Sequence, residues 1–211
     1  MVDCSDTAVT LALDLPDGEG NLPGNRHVTA CFSLHQGARL RLTVTATTDA
    51  LTLFNAANHS YWNLDGGATW SGHRLSIAAD HYLPTTADFT PTGEVRAVDA
   101  DDMDFRTARR IQPGVPLLDN NFCLSDTPGP LREALRLTGS TGTGMTVSTT
   151  EPGIQVYDGR DARRPGGGPH EGLAIEAQGW PDAPNHPDFP SIILDPADEY
   201  RQHTVWRFSR G

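Results

Sequence analysis

Arg39 to Ala46 reads RLRLTVTA, polar and apolar in alternation, and this period of two constrains the fold more than any other feature of the chain. Side chains of an extended strand point alternately to opposite faces, so such a segment buries one face and wets the other. Ala8 to Leu13 and Val28 to Leu34 alternate in the same way, each bounded by Gly, Pro, Asp or Asn. Shorter strand candidates are Leu51–Asn55, Leu75–Ala79, Leu135–Thr138, Met145–Thr149, Ile154–Tyr157, Leu173–Ala177, Ser191–Leu194 and Thr204–Phe208. Helical pattern is confined to short pieces, around Asp102–Arg109 and just after Pro128. Many short strands separated by turn residues, 21 Gly and 16 Pro among them, predict an all-β antiparallel sandwich with long loops. With 211 residues the chain fits a single domain, 1–211, large enough to bury a real core. Arg160–His170 (RDARRPGGGPH) is the clearest flexible stretch, and its arginines are expected to be solvated.

Composition removes several classes of function. Acidic residues outnumber basic ones, 27 to 16, for a net charge of −11. That field repels phosphate backbones and anionic lipid, so nucleic acid and membrane surfaces are not expected partners and neutral ligands are. All 16 basic residues are arginine. Without lysine, neither Schiff-base chemistry nor a phosphate-loop lysine is available. The three cysteines, Cys4, Cys31 and Cys123, are an odd number and widely spaced, as expected of reduced thiols in the cytoplasm. The first residues, MVDCSDTAVTLAL, lack the basic-then-apolar pattern of a signal peptide, and no apolar run reaches membrane-spanning length. The eight histidines form no metal-ligand pattern, and neither Ser60 nor Ser191 lies in a nucleophile elbow.

Two ionisable residues stand out. Glu176 lies inside the apolar run Leu173–Ala177, where a carboxylate is costly unless it is paired or functional, and an ion pair with an arginine is the structural alternative. His59, flanked by Asn58 and Ser60, reads on residue type alone as an ordinary hydrogen-bonding histidine.

The segments around these residues change that balance. PDGEGNLPGNRHV (Pro16–Val28), NHSYWNLDG (Asn58–Gly66), the Asp80–Arg106 stretch DHYLPTTADFTPTGEVRAVDADDMDFR, LLDNNFCL (Leu117–Leu124), TTEPGIQVYDG (Thr149–Gly159) and GLAIEAQGWPDAPNHPDFPSIILDP (Gly172–Pro196) occur in the order in which similar segments occur in the aldose 1-epimerase (galactose mutarotase) family. The resemblance covers nearly the whole chain. It implies a β-sandwich of the galactose mutarotase-like (supersandwich) kind, lacking the family's N-terminal portion, which would carry further strands, an Asn-Arg pair and a second pocket histidine. Sheet edges exposed by that loss would favour a homo-oligomer.

The activity implied is interconversion of the α and β anomers of free hexoses such as glucose or galactose, with a monosaccharide as the partner and no cofactor or metal. His59 would be the general acid and Glu176 the general base. Asp119 would accept hydrogen bonds from sugar hydroxyls, although its carboxylate could equally satisfy turn amides beside Asn120 and Asn121. Gln155 is a weaker candidate contact. Trp62, Phe122, Tyr157 and Trp180 are candidate walls, though strand aromatics are more often core. The chain departs from the family pattern at Asn120, where a histidine is usual, at Trp62, where a phenylalanine is usual, and at the YDGR sequence ending in Arg160. Two other readings stay open: a sugar-binding fragment with impaired catalysis, and a glycosidase using Asp119 and Glu176 as its carboxylate pair.

Overall fold

A computed structural model of the protein describes residues 1–210, which form two facing antiparallel sheets and a short two-stranded ladder. Numbered along the chain, the larger sheet runs, in spatial order, β1 (Asp3–Cys4), β2 (Ala8–Leu15), β3 (Arg26–His35), β4 (Arg39–Thr48), β17 (Tyr200–Ser209), β13 (Gly144–Thr149), β12 (Arg132–Thr138), β7 (Arg74–Ile77) and β10 (Arg109–Arg110). The smaller sheet is β6 (Tyr61–Trp62), β15 (Leu173–Gln178), β14 (Gly153–Tyr157), β11 (Asp119–Cys123), β8 (His81–Tyr82) and β9 (Arg96–Ala97). The ladder pairs β16 (Ile193–Leu194) with β5 (Thr52–Leu53). The expected antiparallel sandwich is therefore the architecture of the molecule. Among the described residues, no helix is long and apolar enough to cross a membrane.

The alternation dictates the packing. On β4, Leu42, Val44 and Ala46 turn into the interior, while Arg39, Arg41, Thr43 and Thr45 face away. Leu75, Ile77, Leu137, Met145, Val147 and Trp206 continue that apolar layer across the larger sheet. Phe122, Ile154, Val156, Leu173 and Ile175 close it from the smaller one. Each such side chain contributes roughly 1.5–3 kcal/mol on burial, and the two layers together hold the sheets face to face. At the outer end the cover runs out: Leu11 and Leu13 of β2 occupy the apolar side yet are 44% and 56% exposed.

Two expected helical pieces are not helices. Between Asp102 and Arg109 the backbone makes turns and then enters β10; the Asp104 carboxylate accepts the Arg106 backbone N–H at 3.0 Å, and Phe105 is anchored in the core. A short polar side chain that satisfies its own backbone competes with the helix. After Pro128 the chain runs directly into β12, which pairs with both β13 and β7, and these long-range ladders outweigh local helix preference. A strand that the pattern missed is β11. Its sequence, DNNFC, is poor in strand formers, yet it is an inner strand between β14 and β8, with the amide of Asn120 donating to the Leu83 carbonyl at 2.9 Å.

Candidate active site

The smaller sheet has one apolar and one polar face, and the polar face is the floor of the site. In register across β15, β14 and β11, Glu176 lies opposite Gln155, and Gln155 opposite Asn121. One step of two along the strands gives the second row, Ala174, Tyr157 and Asp119. The intervening residues Ile175, Val156, Ile154 and Phe122 point into the core. The alternation that builds the sandwich therefore also collects its polar side chains on one surface. Gly153 belongs to that surface, where an added Cβ would collide with the Asn121 side chain.

His59 reaches this surface from the segment leading into β6, which docks on the outer edge of β15 through Ala174 and Tyr61. Gly172 allows that docking, since a Cβ there would come within 2.7 Å of the Tyr61 Cβ. The imidazole stacks on the Tyr61 ring, centroids 5.0 Å apart, and its Nε2 lies 3.5 Å from Oε1 of Glu176. Glu176 is 7% exposed, and His59 opens to solvent. Burial pushes the Glu176 carboxyl above its ordinary proton affinity, His59 opposes that shift, and Asp119 adds to it. The pair, expected from sequence, thus comes together from distant parts of the chain.

Asp119 opens β11, and both its oxygens are engaged. Oδ1 accepts the Gln155 amide at 2.9 Å, and Oδ2 lies 3.2 Å from Nη1 of Arg160. Burial raises its proton affinity, against the amide of Gln155 and the charge of Arg160. The alternative of capping turn amides does not hold, because Asp119 is a strand residue facing the polar surface. Two acceptors beside it, Oε1 of Gln155 and Oδ1 of Asn121, are buried without a hydrogen-bond partner. Asn121 was not singled out by sequence reasoning; its signal was its place two residues after Asp119.

These residues line a hollow of about 380 Å³, with Phe89 and Tyr157 as aromatic walls. Of the four aromatics considered as walls, only Tyr157 lines it. Trp62 packs on Trp206 and Phe208, Phe122 is fully buried between the sheets, and Trp180 belongs to a separate cluster with Phe189. Phe89, which does reach the hollow, sits in a loop with a φ of 59°, outside any strand pattern. The Arg160–His170 loop needs a further correction: Arg160 is not solvated but side-chain buried to 17% exposure, held by Asp119 and Asp158. Among the described residues no group of three His, Cys, Asp or Glu side chains is arranged to hold a metal ion.

Comparison with known proteins shows the family of the chain. The family model described as aldose 1-epimerase matches residues 1–207. Human galactose mutarotase is 36% identical over 207 residues, covering 90% of this chain and 59% of the human protein. Aldose 1-epimerase of Escherichia coli K12 is 32% identical over 230 residues, covering 99% and 66%. Among solved structures, a GalM/aldose epimerase homologue from C. elegans superposes with a TM-score of 0.91 at 28% identity, covering 99% of this chain and 67% of that one. Galactose 1-epimerase from Lactobacillus acidophilus gives 0.84, also at 28% identity, covering 99% and 65%. The chain thus spans roughly three fifths to two thirds of the length of these relatives.

Proposed function

The chain belongs to the aldose 1-epimerase family, and from that premise we propose that it interconverts the α and β anomers of free aldoses such as glucose or galactose, with His59 as general acid and Glu176 as general base. The observation that carries this reading is the 3.5 Å approach of imidazole to carboxylate at the mouth of the hollow. In a pyranose the ring oxygen and the anomeric hydroxyl hang from the same carbon. An acid and a base that serve them together must be close neighbours.

Glu176 takes the proton of the anomeric hydroxyl while protonated His59 gives one to the ring oxygen, and the bond between the anomeric carbon and the ring oxygen breaks. The free aldehyde turns about its bond to the next carbon. Reclosure reverses both transfers: the ring hydroxyl returns its proton to His59, and the new anomeric oxygen recovers one from Glu176. A carboxylate whose proton affinity is raised by burial is a stronger base for this purpose than an exposed one. Asp119 and the lining amides of Gln155 and Asn121 hold the remaining hydroxyls.

Polarimetry of freshly dissolved α-galactose tests the proposal. Equilibration faster than buffer, abolished in His59→Asn and Glu176→Gln, is the expected result. A wild-type rate equal to buffer overturns it. Sugar binding without acceleration would instead assign a carbohydrate-binding role, and release of the aglycone from an aryl glycoside would assign hydrolysis.

A further inference from the structure

Arg160 departs from the family-like sequence around it, and its surroundings are built. Its Nη1 lies 3.2 Å from Oδ2 of Asp119, its Nη2 donates to the Leu118 carbonyl at 2.7 Å, and its Nε is 3.1 Å from Oδ1 of the fully buried Asp158. The guanidinium carbon lies 5.1 Å from the ring centroids of both Tyr157 and Phe89. We infer that Arg160 is a positioning residue that holds Asp119 as an acceptor in one orientation, and that its charge, spent inside the protein, leaves the site rejecting sugars bearing phosphate or carboxylate groups. This rests on the reading of the hollow as the sugar site and deepens it.

A cation beside a ligand pocket invites the opposite conclusion, that it receives an anion. The geometry argues otherwise. Its donors face Asp119, Asp158 and a backbone carbonyl, and two aromatic rings lie against it, so its charge is already neutralised inside the protein. The hollow itself is lined with acceptors: the carboxyls of Asp119 and Glu176, and the unpartnered oxygens of Gln155 and Asn121. A polyol donates a hydroxyl to each of them. A phosphate or carboxylate group offers only lone pairs, and meets Glu176, Asp119 and Asp158 against the charges of Arg160 and His59.

The planar fork also explains why arginine serves here. Gln155 fixes one oxygen of Asp119 and Arg160 the other, so the carboxylate cannot rotate, and lysine would supply the charge without the fork. The groups facing Asp119 are Gln155 and Tyr157 from β14, Arg160 and Asp158 from the following loop, Glu176 from β15, and Tyr61 from β6. Among the described residues Arg160 is the cation that touches Asp119, and removing it raises the proton affinity of the Asp119 carboxyl.

Carbon-13 NMR titration of the Asp119 carboxyl in the full chain, for wild type, Arg160→Gln and Arg160→Lys, tests the positioning role. Its midpoint is expected to rise by about one pH unit in Arg160→Gln and to stay near wild type in Arg160→Lys. Calorimetric titration with galactose, galacturonate and glucose 6-phosphate tests the substrate class. Wild type is expected to bind galactose at least about tenfold more tightly than either anion, and both variants to lose about tenfold in galactose affinity. An unchanged Asp119 midpoint in Arg160→Gln, with the fold intact by amide spectra, overturns the positioning role. Tighter binding of glucose 6-phosphate than of galactose, lost in Arg160→Gln, would make Arg160 an anion receptor and overturn the substrate class. If wild type binds none of the three sugars, the sugar-site reading fails and takes the substrate half with it, while the Asp119 titration still decides the positioning half.

Discussion

Glu176, on β15, and Glu151, in the bend between β13 and β14, are two carboxyls in the same predicament with different company. Both are nearly inaccessible, 7% and 2% exposed, and burial raises the proton affinity of both, that of Glu151 to a pKa of about 7. Each lines a hollow, of about 380 Å³ for Glu176 and about 330 Å³ for Glu151. Glu151 spends its oxygens on hydroxyl donors, Tyr200 at 3.2 Å and Thr150 at 3.4 Å, among apolar walls such as Phe54 and Ile192. Glu176 instead faces an imidazole at 3.5 Å, and among the described residues no protein hydrogen bond occupies its carboxyl. Desolvation alone makes a carboxyl a stronger base. In the proposed mechanism an acid partner and an oxygen left free for a ligand turn that base toward chemistry.

The largest effect separates the two at the level of rate. Glu176→Gln is expected to lower kcat/KM for anomer interconversion by about 10³-fold or more, and His59→Asn by about 10²–10³-fold, whereas Glu151→Gln stays within about threefold of wild type. Steady-state rates from a dehydrogenase-coupled assay check all three. A loss in Glu151→Gln as deep as in Glu176→Gln would break the distinction.

The next effect is on stability, and there Glu151 leads. Its folded-state pKa of about 7 lies above the ordinary carboxylate value of 4.5, so its contribution to folding is fully present below about pH 4.5 and is lost as pH rises through 7. Wild type should lose roughly 2–3 kcal/mol from this group between pH 4.5 and pH 8, and Glu151→Gln should flatten that part of the slope. Urea midpoints across that range read it, and identical slopes in the two proteins would contradict it.

Glu176 has the same sign of shift and a different readout. In the proposed mechanism its carboxylate form is the base, so activity is expected to fall as pH drops through a pKa raised above the ordinary range. The acid limb of kcat/KM should therefore lie above about pH 4.5, and a limb at or below that value would contradict the burial argument. The smallest effect sharpens the role of the imidazole's support. Tyr61 stacks on His59 through its ring, so Tyr61→Phe should change kcat/KM by less than about threefold, while Tyr61→Ala lowers it further. Equal losses in the two would place the function in the hydroxyl instead.

The same contrast shows what was legible in sequence. RLRLTVTA and its like announced the sandwich because period two is enforced by the backbone, and Glu176 was visible because it interrupts an apolar run. Glu151 gave no such signal: it precedes Pro152 in what reads as a turn, and only the docking of Tyr200 from a distant strand buries it. β11 was hidden for a related reason, since the side chains of Asp119 and Asn120 find long-range partners that local propensity does not encode. Arg160 read as solvated because its loop is rich in glycine and charge, whereas Asp119 and Asp158 come to it from neighbouring strands' ends. The family resemblance singled out His59, Asp119 and Glu176, and the fold brings all three to one hollow. The walls of the hollow were less readable: Phe89 reaches it from a loop, and Trp62 and Phe122 turn into the core by the parity of their strands.

Proton exchange spectroscopy on an equilibrated mixture of galactose anomers measures the central step directly, because it needs no coupling enzyme and no net reaction. Cross-peaks between the α and β anomeric signals that grow with wild-type protein, and vanish with Glu176→Gln while persisting with Glu151→Gln, are what the account predicts. Exchange that survives in Glu176→Gln at the wild-type rate would contradict it.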